Sequence, residues 1–199
     1  MSTSTLTRLG SLSIFLTAIL FLASGAALAA GSDPTLGSPT ATLLFYASLV
    51  IAVFAFTTIY TNAAQELGRL GFIGYLLSTA GIVLYSAPAF FLVAGSNGIQ
   101  TWHDLWFYAM GNILLIGPPL FLIGLILLGS AIWRSDAYPH WTGFLTTAGA
   151  VLWLVAFFLS ITLLLIAALL LVTISLSGIA LSLTGTKYAR KLKGGGVTS

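Results

Sequence analysis

Residues 142–186 read TGFLTTAGAVLWLVAFFLSITLLLIAALLLVTISLSGIALSLTGT, without a single formal charge. The stretch before it, Asp136-Ala137-Tyr138-Pro139-His140-Trp141, holds the last acidic residue of the chain, and the next charge is Lys187. Whether this run crosses a membrane once or twice decides the topology of the whole chain. As one helix it would be a rod of roughly 67 Å at 1.5 Å per residue, against a hydrocarbon core of about 30 Å. No ordinary tilt fits such a rod into a single crossing. The length predicts two spans, near 142–159 and 162–184, with a tight turn around Ser160, although neither Gly nor Pro marks that turn.

Composition agrees that lipid is the solvent. Hydrophobic residues make up 58% of the chain and charged residues 6%, with a mean hydropathy of +1.07. Soluble domains are about a quarter charged. A soluble globule of 199 residues would have to show much of this apolar surface to water. The apolar runs are continuous, which indicates helices; barrel strands alternate polar and apolar in short segments. The absence of cysteine excludes disulfides, thiolate nucleophiles and cysteine-ligated metals. The pI of about 9.4 does not indicate nucleic acid, because the basic residues sit between apolar runs and at the tail, where topology accounts for them.

Those charges divide the chain into blocks. Spans are expected at about 9–30, 41–61, 70–95, 107–132, 142–159 and 162–184, forming one transmembrane domain over 1–186. A basic and then disordered tail over 187–199 completes the chain. With six spans and the N-terminus inside, the cytoplasmic pieces hold Arg8, Arg69, Arg134, Lys187, Arg190, Lys191 and Lys193, which are all seven Lys and Arg residues. The outer loops, near 31–40 and 96–106, hold only Asp33 and Asp104. This is the distribution the positive-inside rule requires, and a five-span chain would put the basic tail outside. The first block also has a rival reading: Arg8, an apolar stretch and Ala27-Leu28-Ala29 fit a signal peptide with its cleavage site. Either reading leaves residue 31 outside.

Short segments recur. RLGSLSIFLTAILF at Arg8 echoes RLGFIGYLLSTAGI at Arg69, and TAGIVLY at Thr79 echoes TAGAVLW at Thr147. GSAIW at Gly129 loosely matches GIALS at Gly178. Three helical hairpins repeated in the same orientation would produce this pattern, as in some transporters; chance matching among few apolar letters would too.

Within the spans, Gly117-Pro118-Pro119 lies near the centre of the fourth, where the two prolines leave the Leu114 and Leu115 carbonyls without helical partners. Pro88 does the same to Leu84 in the third. All three prolines are expected to kink their helices, either lining a cavity or packed against neighbours. No span carries Asp, Glu, Lys, Arg or His, which lowers proton-coupled carriers and ion pumps. The conspicuous polar residues are Thr57, Thr58, Tyr75, Tyr85, Ser86 and Asn112. Tyr85, Ser86 and Asn112 share the outer half and are expected to meet between spans three and four as a candidate polar cavity, or else as interhelical hydrogen bonds. Outside, Thr101 and Asp104 have capping-box spacing, and Trp102, Trp106, Phe107 and Tyr108 follow where an aromatic belt belongs.

His103 and His140 fall at opposite membrane faces, so no haem ligated by two histidines is expected. His103 with Asp104 is too few ligands for a metal. No catalytic residue, phosphate loop or carboxylate pair is found, so neither a cofactor nor enzyme activity is expected. Arg134, Trp141, Lys187, Arg190, Lys191 and Lys193 are read as lipid and orientation anchors.

The loop AIWRSDAYPHWTGFL, from Ala131, resembles one in uncharacterised prokaryotic multi-pass membrane proteins: Ala, an apolar pair, Arg, a short turn, Pro, a basic residue, Trp, any residue, Gly. Arg134, Pro139, Trp141 and Gly143 match, while His140 stands where Arg is common. The resemblance covers residues 131–145 and, loosely, the six-span layout. It implies a small prokaryotic inner-membrane protein and carries no activity.

The expected fold is thus an all-α integral membrane protein, a six-transmembrane helix bundle with both termini cytoplasmic. Two function classes stay open. One is a non-catalytic structural or interaction component, partnered by the bilayer and by a second membrane protein or its own copies. The other is a carrier or channel for a neutral or lipophilic solute. A water-filled cavity at Pro118 reached from one side would favour the second, and a closed, dry bundle with an exposed groove of small residues the first.

Overall fold

The computed structural model describes residues 3–30, 39–96 and 103–194, and the side chains of 8–30, 40–86 and 116–184. Among these residues every regular element is an α-helix: α1 (Thr3–Ala30), α2 (Pro39–Asn62), α3 (Ala64–Ser96), α4 (His103–Arg134), α5 (His140–Leu159) and α6 (Thr162–Gly194). All six are long and apolar enough to cross a bilayer. The run 142–186 is indeed divided, and the divide is at Ser160.

That residue solves the turn without glycine. Ser160 adopts left-handed backbone angles, φ 54° and ψ 35°, and its N–H donates to Ala156 O. The Ile161 N–H reaches the same carbonyl at 3.3 Å. This satisfies a carbonyl that the end of α5 would otherwise leave bare in lipid, which offsets the steric cost of a left-handed serine. Pro139 sets the start of α5, its carbonyl accepting both the Thr142 N–H at 2.9 Å and the Thr142 hydroxyl at 2.7 Å.

The expected loop over 62–69 is mostly helical instead. α2 ends at Asn62 and α3 begins at Ala64, with the break displaced to Gly68 at φ 59° and ψ −155°. Only glycine enters that region at low cost. Gly68 lets a short helical turn, which carries Glu66, re-aim into the span that starts at Arg69. The backbone of Lys187 to Lys193 continues α6 as helix up to Gly194.

Each helix packs on its neighbours in sequence, and α1 also packs on α6, so the six form a closed ring of three hairpins threaded in the same sense. Ile14, Ala18 and Phe21 of α1 belong to the common core. Because the chain alternates direction, one end of the ring gathers the start of α1, the α2–α3 junction, the α4–α5 loop and the end of α6. Contacts at that end bear this out: Gly10 lies against Thr58, Gly71 against Ala131, and Gly178 against Trp141.

Polarity cannot decide which face of these helices turns inward, since interior and lipid are both apolar. Size decides. Phe54, Phe158 and Leu163 face outward, while small residues line the contacts. The most extensive contact is α3 on α4. A methyl group at Gly81 would strike the backbone of Phe121, and one at Gly124 would strike the backbone of Ser78 and Leu77. Gly74 and Gly117 are closed off in the same manner by Leu128 and by Leu84–Tyr85. Missing side chains let the backbones approach, and dispersion between them replaces the hydrophobic drive that lipid removes.

Candidate functional site in the ring interior

The interior of the ring is filled by aromatic rings drawn from five helices. Trp153 of α5 is the hub, 3% exposed. Its indole meets Phe21 of α1 edge-on at 5.7 Å, Phe121 of α4 edge-on at 5.6 Å, and Phe45 of α2 at 5.7 Å. Phe45 in turn meets Phe21 at 6.0 Å and Tyr85 of α3 at 5.5 Å, and Phe121 meets Phe56 at 6.2 Å. Tilted and edge-on pairs at such spacings suit the ring quadrupoles. The sequence places them by helical spacing: Thr142, Thr146, Gly149, Trp153 and Ala156 form the buried face of α5, so a narrow stripe carries one large ring into the centre.

Of the expected polar cavity of Tyr85, Ser86 and Asn112, the first two side chains are described. Tyr85 turns into the aromatic cluster. Ser86 donates to Val83 O of its own helix at 2.9 Å. The Asn112 side chain lies outside the described residues. So do the Thr101–Asp104 cap, the belt residues Trp102, Trp106, Phe107 and Tyr108, and the side chains of Pro88, Lys187, Arg190, Lys191 and Lys193. Pro118 and Pro119 lie inside a helix assigned without interruption over α4, with Gly117 against the α3 backbone. Of the other polar residues, the Thr57 hydroxyl donates to Val53 O at 2.7 Å and lies 3.2 Å from the Tyr75 hydroxyl, while Thr58 donates to Phe54 O at 2.8 Å.

Two hydroxyl sites went unremarked in the sequence. Thr146 and Ser175, 2.6 Å apart, bridge α5 to α6, and both lie within hydrogen-bonding distance of Thr142 O, at 2.9 and 2.7 Å. The second is the reverse case: the Ser78 and Thr79 hydroxyls of α3 are buried with no hydrogen-bond partner among the described residues. Nothing local in the sequence separates bonded from unbonded hydroxyls, because the partner sits on another helix. The aromatic hub did leave a trace. Tyr85 and Trp153 end the matching segments TAGIVLY and TAGAVLW, and both rings contact Phe45.

The loop 135–139 closes one end of the ring. Tyr138 is 4% exposed, and its hydroxyl donates to Ile59 O at 2.8 Å. Ile59 is in the last turn of α2, whose carbonyls have no helical partner, so Tyr138 caps α2 from the other side of the bundle. Burial pushes the Tyr138 phenol above its ordinary range, and the Glu66 carboxylate pushes it the same way. His140 holds the loop's other side, with Nδ1 at 2.8 Å from Trp133 O and Nε2 at 3.6 Å from Asp136. Of the loop residues read as anchors, Arg134 is exposed in the last turn of α4, and Trp141 is 49% exposed with its ring edge over Gly178. Gly143 admits the backbone of Trp133.

Beside Trp141, a groove of about 510 Å³ opens on the outer surface, lined by Pro139, Trp141, Thr173, Ile174, Gly178 and Leu181 among others.

Six apolar spans in a closed ring define a multi-pass membrane protein, in contact with lipid around its circumference. No protein-family model matches the chain, and neither a curated protein nor a solved structure shows significant similarity to it.

Proposed function

We propose that this is a non-catalytic structural or interaction component of a prokaryotic plasma (inner) membrane, with both termini cytoplasmic and α1 retained. The observation that carries the role is the packed centre: Phe21, Phe45, Phe121 and Trp153 occupy the axis along which a solute would have to pass. What the ring offers to other molecules is its outer surface. The location and orientation rest on the basic residues that cluster at one end of the chain's topology, and on the resemblance of the 131–145 loop.

The chain has no cysteine, so single cysteines report cleanly. Ala150→Cys, at a fully buried interior position of α5, should resist a water-soluble thiol reagent, and Gly195→Cys should be tagged only once the cells are opened. Purification from native membranes should then bring down a stoichiometric partner or a homo-oligomer. Labelling of Ala150→Cys would sink the structural role and support a carrier or channel for a neutral or lipophilic solute. The observations favouring that second reading are the Gly117-Pro118-Pro119 segment, against Leu84 and Tyr85, and the Ser78 and Thr79 hydroxyls, which are buried without a partner among the described residues farther along the same α3–α4 contact, with Ser78 against Gly124.

A further inference from the structure

The junction between α2 and α3 takes a shape that a distant residue helps to hold. In a continued α2, the Ala63 N–H would donate to Ile59 O four residues back. It donates instead to Tyr60 O at 3.1 Å, which bends the chain between Asn62 and Ala64 and leaves Ile59 O without that donor. The two carbonyls before it are met from within α2: the Thr61 hydroxyl donates to Thr57 O and the Asn62 side-chain amide to Thr58 O, both at 2.8 Å. Ile59 O is met from outside the helix, by the Tyr138 hydroxyl of the α4–α5 loop at 2.8 Å. Without that hydroxyl, Ile59 O would compete for the Ala63 N–H and carry α2 on through the bend.

A single helical turn follows, set between two breaks. The Glu66 and Leu67 N–H groups both donate to Ala63 O, at 3.1 and 2.9 Å, and Gly68 then re-aims the chain at φ 59° and ψ −155°. A methyl group at Gly68 would meet nothing within 4 Å among the described residues, so the pivot has room around it. The turn is nonetheless drawn inward. Ala63 is 6% and Leu67 4% exposed, both belong to the common core, and Leu67 lies over Gly71 beside Ala131 of α4. Gln65, Glu66 and Arg69 face outward. Apolar contact from Ala63 and Leu67, with the Tyr138 bond at the near break, keeps the turn in place.

We propose that residues 63–68 form a hinged strap across this end of the ring, with Tyr138 as its latch. When the latch releases, Ile59 O takes the Ala63 N–H, α2 lengthens, position 68 leaves its glycine-only angles, and Ala63 and Leu67 come out to water. The exchange replaces one bond to the Ala63 N–H by another. The two states are therefore separated mainly by the Tyr138 bond and the burial of two side chains. The device needs the ring but not the non-catalytic role proposed above.

The test is the labelling of single cysteines by a water-soluble maleimide in the detergent-purified full chain at neutral pH. Ala63→Cys and Leu67→Cys report the strap, and Ala150→Cys, fully buried in α5, reports opening of the ring as a whole. Adding Tyr138→Phe should speed labelling of both strap reporters about fivefold or more, because labelling follows the open population and the closed one has lost a hydrogen bond. Gly68→Ala should do the same by a separate route, because the closed strap holds position 68 at angles that strain alanine. Ala150→Cys should stay unlabelled in both. Unchanged labelling of the strap reporters in either variant would overturn the proposal. So would Ala150→Cys becoming reactive in step with them, which would mean a general loosening instead of a hinge.

Discussion

Replacing Trp153 by Ala removes the hub of the interior. In a soluble core such a change costs both the transfer of the side chain from water and the cavity left behind. Here the unfolded reference is a separated helix still in lipid, where the indole is already out of water, so the transfer contribution largely vanishes. What remains is lost packing. The difference between Trp and Ala is about 140 Å³, and at about 24 cal/mol per Å³ of residual cavity the loss is about 3.4 kcal/mol if the surroundings hold still. They hold still to a good degree, because Phe21, Phe45 and Phe121 are pinned by one another and by the ring of helices. Three ring pairs with Trp153 disappear as well, each worth about 0.5–1.5 kcal/mol beyond burial and partly counted in the cavity. A loss of about 3–4 kcal/mol is expected. The assay is reversible unfolding in mixed micelles, followed by helicity. The control is Phe54→Ala, a ring of similar size that is 65% exposed on the lipid face, for which a change within about 0.5 kcal/mol is expected. A Trp153→Ala loss below about 1 kcal/mol, or one equal to that of Phe54→Ala, would refute the packed centre.

Ser160→Gly should stabilise the protein by about 0.5–1 kcal/mol, because glycine takes the left-handed turn between α5 and α6 without strain; the same assay reads it. Tyr138→Phe should cost about 1–3 kcal/mol at neutral pH by orphaning Ile59 O. The folded phenol ionises above its ordinary value of 10.0. Its contribution is therefore complete below pH 10 and fades as the pH rises beyond it, so an unfolding series across pH 9–11 should slope downward for the wild type and less so for Tyr138→Phe. Ser78→Ala, which deletes a buried hydroxyl without a partner, should be neutral or stabilising by up to about 1 kcal/mol, whereas Ser175→Ala should lose about 0.5–1 kcal/mol with its bonds to Thr142 and Thr146.

Much of the architecture could be read without coordinates. A bilayer admits backbone only as helices of limited length, so the charge-free run 142–186 had to fold back on itself, and the placement of Arg8, Arg69, Arg134 and the tail cations ordered the remaining spans. Those are constraints of solvent and chain length, and they act on each segment separately. The facing of each span was settled by tertiary structure alone. With lipid outside and apolar side chains inside, hydropathy is blind to the difference, and only the fit of large rings to small residues across a contact distinguishes Trp153 inside from Phe54 outside. The same reason separates Tyr85, which joins the aromatic centre, from Ser86, which bonds its own helix. It also hid the cap that Tyr138 sets on α2, since an interaction across 79 positions leaves no local signal. The closure of α1 on α6 belongs to that class too, because it exists only once all six helices stand side by side.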